Sequence, residues 1–392
     1  MEPERILLKG HIVSPEGDFD GRGLVEITGG TITFVGEGGT SMLMGQKHRI
    51  YDFGPNYICP GLIDLHIHGS GGCDVMDATS EALNRISCLL AQGGATSFLA
   101  TLMSAPHQEL TEAIRNIAKV MQKGTDGAQI LGAHLEGPFL NAGKRGAHKE
   151  ENLRLPNINK LKDYIDAGNG SLKMITLAPE LLGAAVVIEY AKSRGLLVSL
   201  GHSDASITQV YEACEAGLSH VTHAFNAMAK LHHRDPGTTG AILSMKKLTV
   251  DIIPDGNHVH PVVIKILVCA KGVDSVCAIS DCTRAGQMGD GVFELGGQKI
   301  TVKQGISHLE DGTLSGSVIN MAQGLRILVE KVGVSLPEAV QMASTNPARI
   351  LGLQSKGALK LGYDADIVIF DRRLDVLMTM VAGKIVHRVF DD

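Results

Sequence analysis

The stretch Cys59-Pro60-Gly61-Leu62-Ile63-Asp64-Leu65-His66-Ile67-His68-Gly69 places two histidines at the end of a short apolar run with strand character. Residues i and i+2 of a strand point to the same side, so His66 and His68 can converge on one ion from inside a barrel. An isolated His-x-His pair has a second interpretation, as two polar residues at a strand end that is capped by Gly69. The sequence that follows favours the first interpretation.

Beyond this stretch, short runs with strand character alternate with segments of helical character. The β-like runs cover residues 95–102, 129–136, 172–178, 196–202, 220–223, 248–253 and 276–281, and the helical candidates cover residues 80–92, 106–122, 158–167, 181–193, 206–215 and 261–270. Such alternation is typical of βα units around a parallel sheet. Seven or eight units favour closure of the sheet, so the sequence predicts an α/β protein with a TIM-like (β/α)8 barrel.

Both ends of the chain have a different pattern, in which short strands are separated by glycine-rich turns. This pattern covers residues 5–13, 23–28 and 31–36 near the start, and residues 365–370, 376–381 and 384–389 near the end. Each end is too short to bury a core alone, and the termini of a domain often lie close together. We therefore expect residues 1–55 and 356–392 to form a small discontinuous β-sandwich, with the barrel, residues 56–355, inserted between its two parts.

Composition and charge argue against several classes of protein. The 392 residues include 36 Lys and Arg against 42 Asp and Glu, no Trp and 4% aromatic residues, which argues against nucleic-acid binding. No apolar run of the sequence approaches the roughly 20 residues that span a bilayer, and the start, Met1-Glu2-Pro3-Glu4-Arg5, does not resemble a signal peptide. Seven scattered cysteines indicate reduced thiols, so we expect a cytoplasmic protein with no membrane partner.

Five of the β-like runs end in residues that can bind a metal or move a proton. These residues are His66 and His68, Glu136, His202, His223 and Asp281. In a βα barrel all strand ends lie on one face, so these side chains are expected to gather there. Imidazole and carboxylate ligands suit a divalent ion such as zinc, which lowers the pKa of water toward about 7. With Asp281 as a proton acceptor, such a site fits hydrolysis of an amide-type bond.

Longer motifs make the prediction of a metal-dependent hydrolase more specific. They are Pro60–Gly69, His134–Asn141 (His-Leu-Glu-Gly-Pro-Phe-Leu-Asn), Lys144–His148, Gly201–Ser203, His223–Met228 (His-Ala-Phe-Asn-Ala-Met), Arg234–Gly237, Asp255–His258 and Ser280–Thr283. With these motifs the chain resembles the amidohydrolase superfamily, and within it the N-acetylglucosamine-6-phosphate deacetylases. The strand-end pattern is common to the superfamily, whereas Glu-Gly-Pro-Phe-Leu-Asn and His-Ala-Phe-Asn-Ala-Met are far narrower and point to the deacetylases.

The resemblance implies a metal site with specific ligands. Glu136, His202 and His223 match the ligands shared across the family, and His66 and His68 match the pair that binds a second ion in its two-metal members. One or two divalent ions per subunit are thus implied, with zinc expected and iron, manganese or cobalt as alternatives. Many superfamily relatives bridge two ions with a carboxylated lysine, and Glu136 in that place argues against chemistry like that of dihydroorotase or urease.

The resemblance also implies roles around the substrate. Asp281 matches the catalytic acid and base, and His148 is expected near the substrate as a hydrogen-bond donor. Arg234 and His258 match the phosphate-binding pair, which in this family reaches the site of the neighbouring subunit, so a homodimer is implied. An arginine suits this role because its planar fork meets phosphate oxygens in a bidentate manner. The positions that match the sugar site are Ala147, Asn226, Ala227, Leu314, Ser315 and Gly316.

These matches predict a metal-dependent enzyme of amino-sugar catabolism that hydrolyses the N-acetyl group of N-acetylglucosamine 6-phosphate, giving glucosamine 6-phosphate and acetate. The nearest alternative is the same reaction on N-acetylgalactosamine 6-phosphate, which differs in the configuration of one hydroxyl. A non-catalytic sugar-phosphate sensor on the same fold is a second alternative, which Asp281 disfavours because binding alone needs no proton shuttle. Another amidohydrolase, such as a dipeptidase or a dihydropyrimidinase, is a third, disfavoured by Glu136 and by the Arg234–His258 pair.

Overall fold

The computed structural model describes residues 4–14, 17–38 and 48–390, and its first part is built from long strands. These strands are β1 (Arg5–Ser14), β2 (Gly17–Thr28), β3 (Thr31–Glu37) and β4 (Arg49–Pro60). β1 pairs antiparallel with β2, β2 pairs antiparallel with β3, and β4 lies parallel to β1. Residues 1–3, 15–16 and 39–47 of the predicted N-terminal part lie outside the described residues.

A barrel of parallel strands follows. The next strands along the chain are β5 (Leu62–Ile67), the two-residue strands β6 (Gly69–Ser70) and β7 (Cys73–Asp74), then β8 (Ala95–Leu102), β9 (Gln129–Glu136), β10 (Leu172–Leu177), β11 (Leu197–Leu200), β12 (His220–Val221), β13 (Thr249–Ile252) and β14 (Val276–Ala278). The parallel sheet has the order β14-β13-β12-β11-β10-β9-β8-β5. A parallel bridge between Ile67 and Cys282 returns the chain after β14 to β5, which confirms the predicted (β/α)8 barrel.

Helices follow most of the barrel strands. They are α1 (Ser80–Gln92), α2 (His107–Lys123), α3 (Ile158–Gly168), α4 (Ala184–Ser193), α5 (Ile207–Ala216), α6 (Gly237–Ser244), α7 (Pro261–Lys271), α8 (Met321–Ile327), α9 (Leu336–Val340) and α10 (Asn346–Ile350). Thr79 caps α1 by accepting a hydrogen bond from the backbone of Ala82, and Ser206 and Gln209 cap α5 reciprocally. Each predicted helix begins and ends within three residues of its predicted limits. In the part of the chain that the structure describes, none of the helices has the length and apolar composition needed to cross a bilayer.

The sequence analysis did not predict α6, α9, α10 or a small antiparallel sheet that follows β14 in the chain. This sheet consists of β15 (Gly291–Leu295), β16 (Gln298–Lys303) and β17 (Ile306–Leu309). The first turn of α6 reads Gly-Thr-Thr-Gly, which favours a helix poorly in isolation. Its side chains, among them Thr238, Ala241 and Ile242, are buried, so packing inside the folded protein stabilises this helix.

The C-terminal strands join the N-terminal ones in one sheet. β18 (Ile367–Phe370), β19 (Val376–Val381) and β20 (Lys384–Arg388) extend the order to β20-β19-β18-β4-β1-β2-β3. The expected domain from both termini is therefore one continuous sheet, and its buried side chains, such as Ile12, Ile58 and Ile369, form a separate apolar core. β4 crosses residue 55, where we placed a domain boundary, and the boundaries stay predictions.

Candidate active site

The side chains predicted to gather at the strand ends lie together at the carboxyl end of the barrel. His66 belongs to β5, and Glu136 is the last residue of β9. His202, His223 and Asp281 follow the last residues of β11, β12 and β14 by two or three positions. All of these side chains are buried. They meet because parallel barrel strands all end on the same rim, however far apart they lie in the sequence.

Glu136 lies at the centre of this cluster. Imidazole nitrogens surround both of its oxygens: Oε1 lies 2.9 Å from His223 Nε2 and 3.1 Å from His202 Nε2, and Oε2 lies 3.3 Å from His68 Nε2, 3.4 Å from His148 Nε2 and 3.6 Å from His66 Nε2. The five predicted ligands are thus brought together, and His148 joins them. Their assignment as metal ligands stays a prediction.

The geometry of the cluster fits a divalent cation better than a set of hydrogen bonds. His66 Nε2 lies 3.1 Å from His68 Nε2, and both atoms lie 3.4 Å from Asp281 Oδ1. A ring nitrogen carries either one hydrogen or one lone pair, so it cannot donate to every acceptor that crowds around it. Among the described residues, two groups of three side chains each bring their ligand atoms within 4.8 Å of one another, namely His66, His68 and Asp281, and Glu136, His148 and His202. Imidazole and carboxylate are ligands that zinc and related ions accept.

The charges in the cluster favour a bound positive charge. Burial acts to raise the pKa of Glu136, but positive charge on His66 and hydrogen bonds from the neighbouring imidazoles hold that pKa well below its usual value. Burial acts to lower the pKa of His68, but hydrogen bonds with Asp281 and Glu136 raise it to about 10. The carboxylates therefore stabilise positive charge among the histidines, which a metal cation can supply in place of a proton.

Left-handed backbone conformations occur at the same residues. His202, His223 and Asp281 have φ angles of 49°, 32° and 48°, although none of them is glycine. Phe225 and Ala227, in the loop after β12, have φ angles of 76° and 51°. Such residues cost roughly 1–3 kcal/mol each and persist where the surrounding structure holds them, often at functional sites. The folded barrel therefore holds four of the predicted site residues, His202, His223, Ala227 and Asp281, in a conformation that is unfavourable on its own.

A cavity of about 430 Å³, a size that suits a small ligand, opens onto the cluster. The predicted residues that line it are His68, Glu136, Ala147, His148, His202, His223, Asn226, Ala227, His258, Asp281, Leu314 and Gly316. Ser315 is buried beside the cavity without lining it, and its Oγ lies 2.8 Å from Ser307 Oγ. Arg234 is exposed outside the cavity of its own chain, with Nη1 2.9 Å from His233 Nε2.

His258, which we expected to reach the site of a neighbouring subunit, lines the cavity of its own chain from the loop after β13 and is held there by Asp255. His258 Nδ1 lies 2.7 Å from Asp255 Oδ2, and Asp255 Oδ1 accepts the backbone N–H groups of Asn257 and His258 at 2.8 Å each. Burial acts to raise the pKa of Asp255, but the hydrogen bond and charge of His258 lower it. Because Asp255 engages Nδ1, the second ring nitrogen of His258 is left for the cavity.

The sequence analysis did not identify several residues that line the cavity. They include Met103, Lys144, Phe225, Lys230, Leu295 and Thr313. Met103 follows the last residue of β8, so the strand-end rule could have identified it. Phe225 lies within the motif His223–Met228, but the search at the strand ends was for side chains that bind a metal or move a proton, and a phenyl ring does neither. Leu295 carried no signal, because it comes from β15 in the sheet that the sequence did not predict.

Comparisons with known proteins find related enzymes. Residues 57–386 match the amidohydrolase family. An N-acetylglucosamine-6-phosphate deacetylase of Vibrio furnissii is 40% identical over 344 residues, which cover 87% of this chain and 86% of that protein. An N-acetylgalactosamine-6-phosphate deacetylase of Escherichia coli O157:H7 is 37% identical over 329 residues, which cover 84% and 87%. A mutant N-acetyl-D-glucosamine-6-phosphate deacetylase of Mycobacterium smegmatis, solved in complex with N-acetyl-D-glucosamine 6-phosphate, aligns with a TM-score of 0.92 and 32% identity over 98% of this chain and 99% of that one.

Proposed function

This chain belongs to the amidohydrolase family, and we propose that it hydrolyses the N-acetyl group of N-acetylglucosamine 6-phosphate, giving glucosamine 6-phosphate and acetate. The observation that carries this proposal is the position of Asp281, whose carboxylate lines a cavity beside the carboxylate–imidazole cluster. A proton acceptor next to a candidate metal site is what hydrolysis of an amide requires. We place the reaction in the amino-sugar catabolism of the cytoplasm.

The cluster would hold one or two divalent ions, with zinc as the expected metal and iron, manganese or cobalt as alternatives. Glu136, His202 and His223 would hold one ion, and His66 and His68 would hold the second. Glu136 supports two ions because its Oε1 faces the first pair of histidines and its Oε2 faces the second pair. A divalent ion in such a site polarises a carbonyl oxygen and lowers the pKa of water to about 7.

Asp281 would move the proton during the reaction. Burial acts to raise the pKa of this carboxyl, but the charge of His66 and a hydrogen bond from His68 hold that pKa well below its usual value. The carboxylate is therefore ionised at neutral pH and can accept a proton from the attacking water, whose oxygen ends in acetate. Asp281 then delivers the same proton to the sugar nitrogen as the C–N bond breaks, which regenerates the carboxylate.

His148 would bind the acetyl carbonyl oxygen as a hydrogen-bond donor. The backbone N–H of Ser104 donates to His148 Nδ1 at 3.2 Å, so Nδ1 serves as an acceptor. In a neutral imidazole the single hydrogen then lies on the other nitrogen, Nε2. His148 lines the cavity with Nε2 3.4 Å from Glu136 Oε2, and this Nε2–H would donate to an oxygen of the substrate in place of Glu136 when the substrate is bound.

The phosphate would bind where His258 reaches the cavity. Lys144 and Lys230 line the same cavity; Lys144 is paired with Asp204, its Nζ 3.0 Å from Asp204 Oδ1, and Lys230 adds positive charge. We propose that Arg234, exposed outside its own cavity, binds the phosphate in the site of a neighbouring subunit of a homodimer. Sugar contacts are assigned to Ala147, Asn226, Ala227, Leu314 and Gly316, which line the cavity, and a contact of Ser315 would have to come from its backbone, because its hydroxyl is hydrogen-bonded to that of Ser307.

Acetate release from N-acetylglucosamine 6-phosphate tests the function. Metal-loaded protein should release acetate and expose one new primary amine for each acetate. The Asp281→Asn variant should bind metal equally well and turn over at least about a hundred times more slowly. Absence of acetate release by the metal-loaded protein would refute the proposed function, and wild-type turnover by the variant would refute the role of Asp281.

N-acetylgalactosamine 6-phosphate is the second candidate substrate. The Escherichia coli relative that bears this substrate in its name is 37% identical, close to the 40% of the Vibrio furnissii relative. The two sugars differ in one hydroxyl, so kcat/KM measured on both under the same conditions separates them. We expect the higher value for the glucosamine derivative, and a higher value for the galactosamine derivative would reverse the assignment.

A further inference from the structure

We propose that Asp64 is a positioning residue that holds Asp281 against the His66–His68 pair across the seam where the barrel closes. The inference rests on the proposed function, because it assigns Asp64 a role in the proton transfer by Asp281. Asp64 itself is fully buried and is not among the residues that line the cavity. It therefore acts through the residues that it contacts.

The seam between the first and last barrel strands is joined by few contacts. β5 and β14 stand at opposite ends of the strand order, and an isolated bridge links Ile67 to Cys282. The backbone N–H of Asp281 donates to His66 O at 2.9 Å, and that of His68 donates to Cys282 O at 2.8 Å. The position of Asp281 relative to the two histidines therefore depends on this short junction.

The carboxylate of Asp64 ties the two sides of the seam together. Asp64 Oδ1 accepts the backbone N–H groups of His66 and Ser280, each at 3.2 Å, and Oδ2 accepts the hydroxyl of Ser280 at 2.6 Å. The hydroxyl of Ser280 in turn accepts the backbone N–H of Cys282 at 3.1 Å. One buried side chain thus holds the residue before Asp281 and, through Ser280, the residue after it.

Asp281 needs such support because its φ angle of 48° is unfavourable for a residue other than glycine. Its carbonyl oxygen accepts the backbone N–H of Ser317 at 2.7 Å, which holds it on the side away from β5. Its Oδ1 lies at equal distances of 3.4 Å from His66 Nε2 and His68 Nε2. Without the Asp64–Ser280 contact, residues 280–282 can relax, and the carboxylate of Asp281 moves away from the site of proton transfer.

Asp251 offers a matched control inside the same barrel. It is also a fully buried carboxylate, and its Oδ1 lies 2.9 Å from His220 Nε2. It belongs to β13, and among the described residues its side chain is paired with His220 and not with Ser280, Asp281 or a residue of β5. Replacing Asp251 by Asn therefore matches the loss of a buried charge in Asp64→Asn without disturbing the link to Asp281.

The kinetic experiment compares Asp64→Asn, Ser280→Ala, the double variant and Asp251→Asn, all metal-loaded. A small displacement of a reacting group is expected to reduce kcat of Asp64→Asn by about a hundredfold, with KM changed by less than about threefold. Ser280→Ala should lose about tenfold in kcat, and the double variant should be no worse than Asp64→Asn, because both act through one contact. Asp251→Asn should lower Tm while its kcat stays within about threefold of wild type.

Three results would overturn the proposal: a kcat of Asp64→Asn no lower than that of Asp251→Asn, a loss that appears only in KM, or additive effects in the double variant. Ser280→Ala removes one hydroxyl and keeps the test decisive if Asp64→Asn does not fold. Cobalt titration, followed by visible absorption, measures the site without turnover. Because Asp64 also accepts the backbone N–H of His66, a proposed ligand, we expect Co²⁺ to bind more weakly to Asp64→Asn than to Asp251→Asn, and equal binding would count against the positioning role. If the wild type releases no acetate, the proposed function fails, while the cobalt result still decides the role of Asp64.

Discussion

The two ends of the barrel carry cavities of similar size and opposite chemistry. At the carboxyl end, Glu136, His223 and Asp281 line the cavity of about 430 Å³. At the amino end, a larger cavity of about 580 Å³ is lined by apolar side chains such as Leu131 and Leu197 and by exposed lysines, with neither carboxylate nor imidazole among the described residues around it. Cavity size therefore does not indicate which end of the barrel holds the proposed reaction site. The convergence of polar side chains at the strand ends indicates the carboxyl end.

The same contrast exists within a few residues of one strand. His220, at the amino end of β12, is buried with Nε2 2.9 Å from Asp251 Oδ1 and Nδ1 2.6 Å from Thr249 Oγ1. His223 lies three positions further along, has a left-handed backbone and faces Glu136. Two histidines of one segment thus have different surroundings, and we assign a structural role to His220 and propose a chemical role for His223.

Removal of the metal should abolish the activity of the site at the carboxyl end of the barrel, and it is the change with the largest expected effect. Treatment with a chelator should abolish acetate release, and zinc should restore it. Tm should fall as well, since a ligand present at 100 times its Kd stabilises the folded state by about 2.7 kcal/mol. Acetate release, Tm and metal content are measured on the same sample, and full activity in metal-free protein would contradict the prediction.

Asp281→Asn should remove the proton shuttle and leave the rest of the carboxyl end in place. We expect kcat to fall by about a thousandfold, within the usual range for a general acid and base. Steady-state kinetics with metal content per chain provide the measurement. A comparable loss of metal would instead assign Asp281 to metal binding.

The variants His223→Ala and His220→Ala test whether the two histidines near β12 have different roles. His223→Ala should lower the metal content per chain, because it removes one proposed ligand. Its kcat/KM should fall by at least about a hundredfold. His220→Ala should lower the free energy of unfolding by about 3–5 kcal/mol, because Asp251 is left buried without its partner, and kcat of the folded variant should change little. Urea unfolding and kinetics on both variants test this division, and the reverse assignment of effects would disprove it.

His258→Gln and Asp255→Asn test the phosphate end of the reactive cavity. Loss of a hydrogen bond to a charged group should raise KM for the phosphorylated sugar by roughly tenfold or more, with a small effect on kcat. The unphosphorylated N-acetyl sugar is the control substrate, and its kcat/KM should remain unchanged. An equal loss on both sugars would place these residues elsewhere in the reaction.

Leu197→Ala tests the amino-end cavity and should have the smallest effect on activity. Truncation of this half-buried side chain should lower the free energy of unfolding by about 1–2 kcal/mol through lost apolar contact. Acetate release at 25 °C should stay within about twofold of wild type, because the cavity holds none of the reacting groups. A larger loss of kcat at unchanged Tm would show that the two ends are coupled.

The local sequence predicted those parts of the fold in which one segment carries its own signal. Helices α1 and α5 have caps and apolar faces that can be read directly, and both were predicted to within one residue. Helix α6 has neither a side-chain cap nor a separate apolar face. Its Gly-rich first turn is stabilised by burial in the folded protein. The β15–β17 sheet is also absent from the sequence prediction, so Leu295 could not be placed at the cavity. Arg234 was predicted for the phosphate, and within one chain it lies outside the cavity.

By itself the sequence determined the barrel, the terminal strands and the identity of the groups at the strand ends. It could do so because strand alternation, helix caps and parallel strand direction are local or repetitive properties. Three contacts became visible only in the folded protein: His148 lies beside Glu136, the hydroxyl of Ser315 is bonded to that of Ser307, and Asp64 spans the seam to Ser280. These contacts join residues brought together by closure of the barrel, and distances across a closed barrel are not encoded in any single segment.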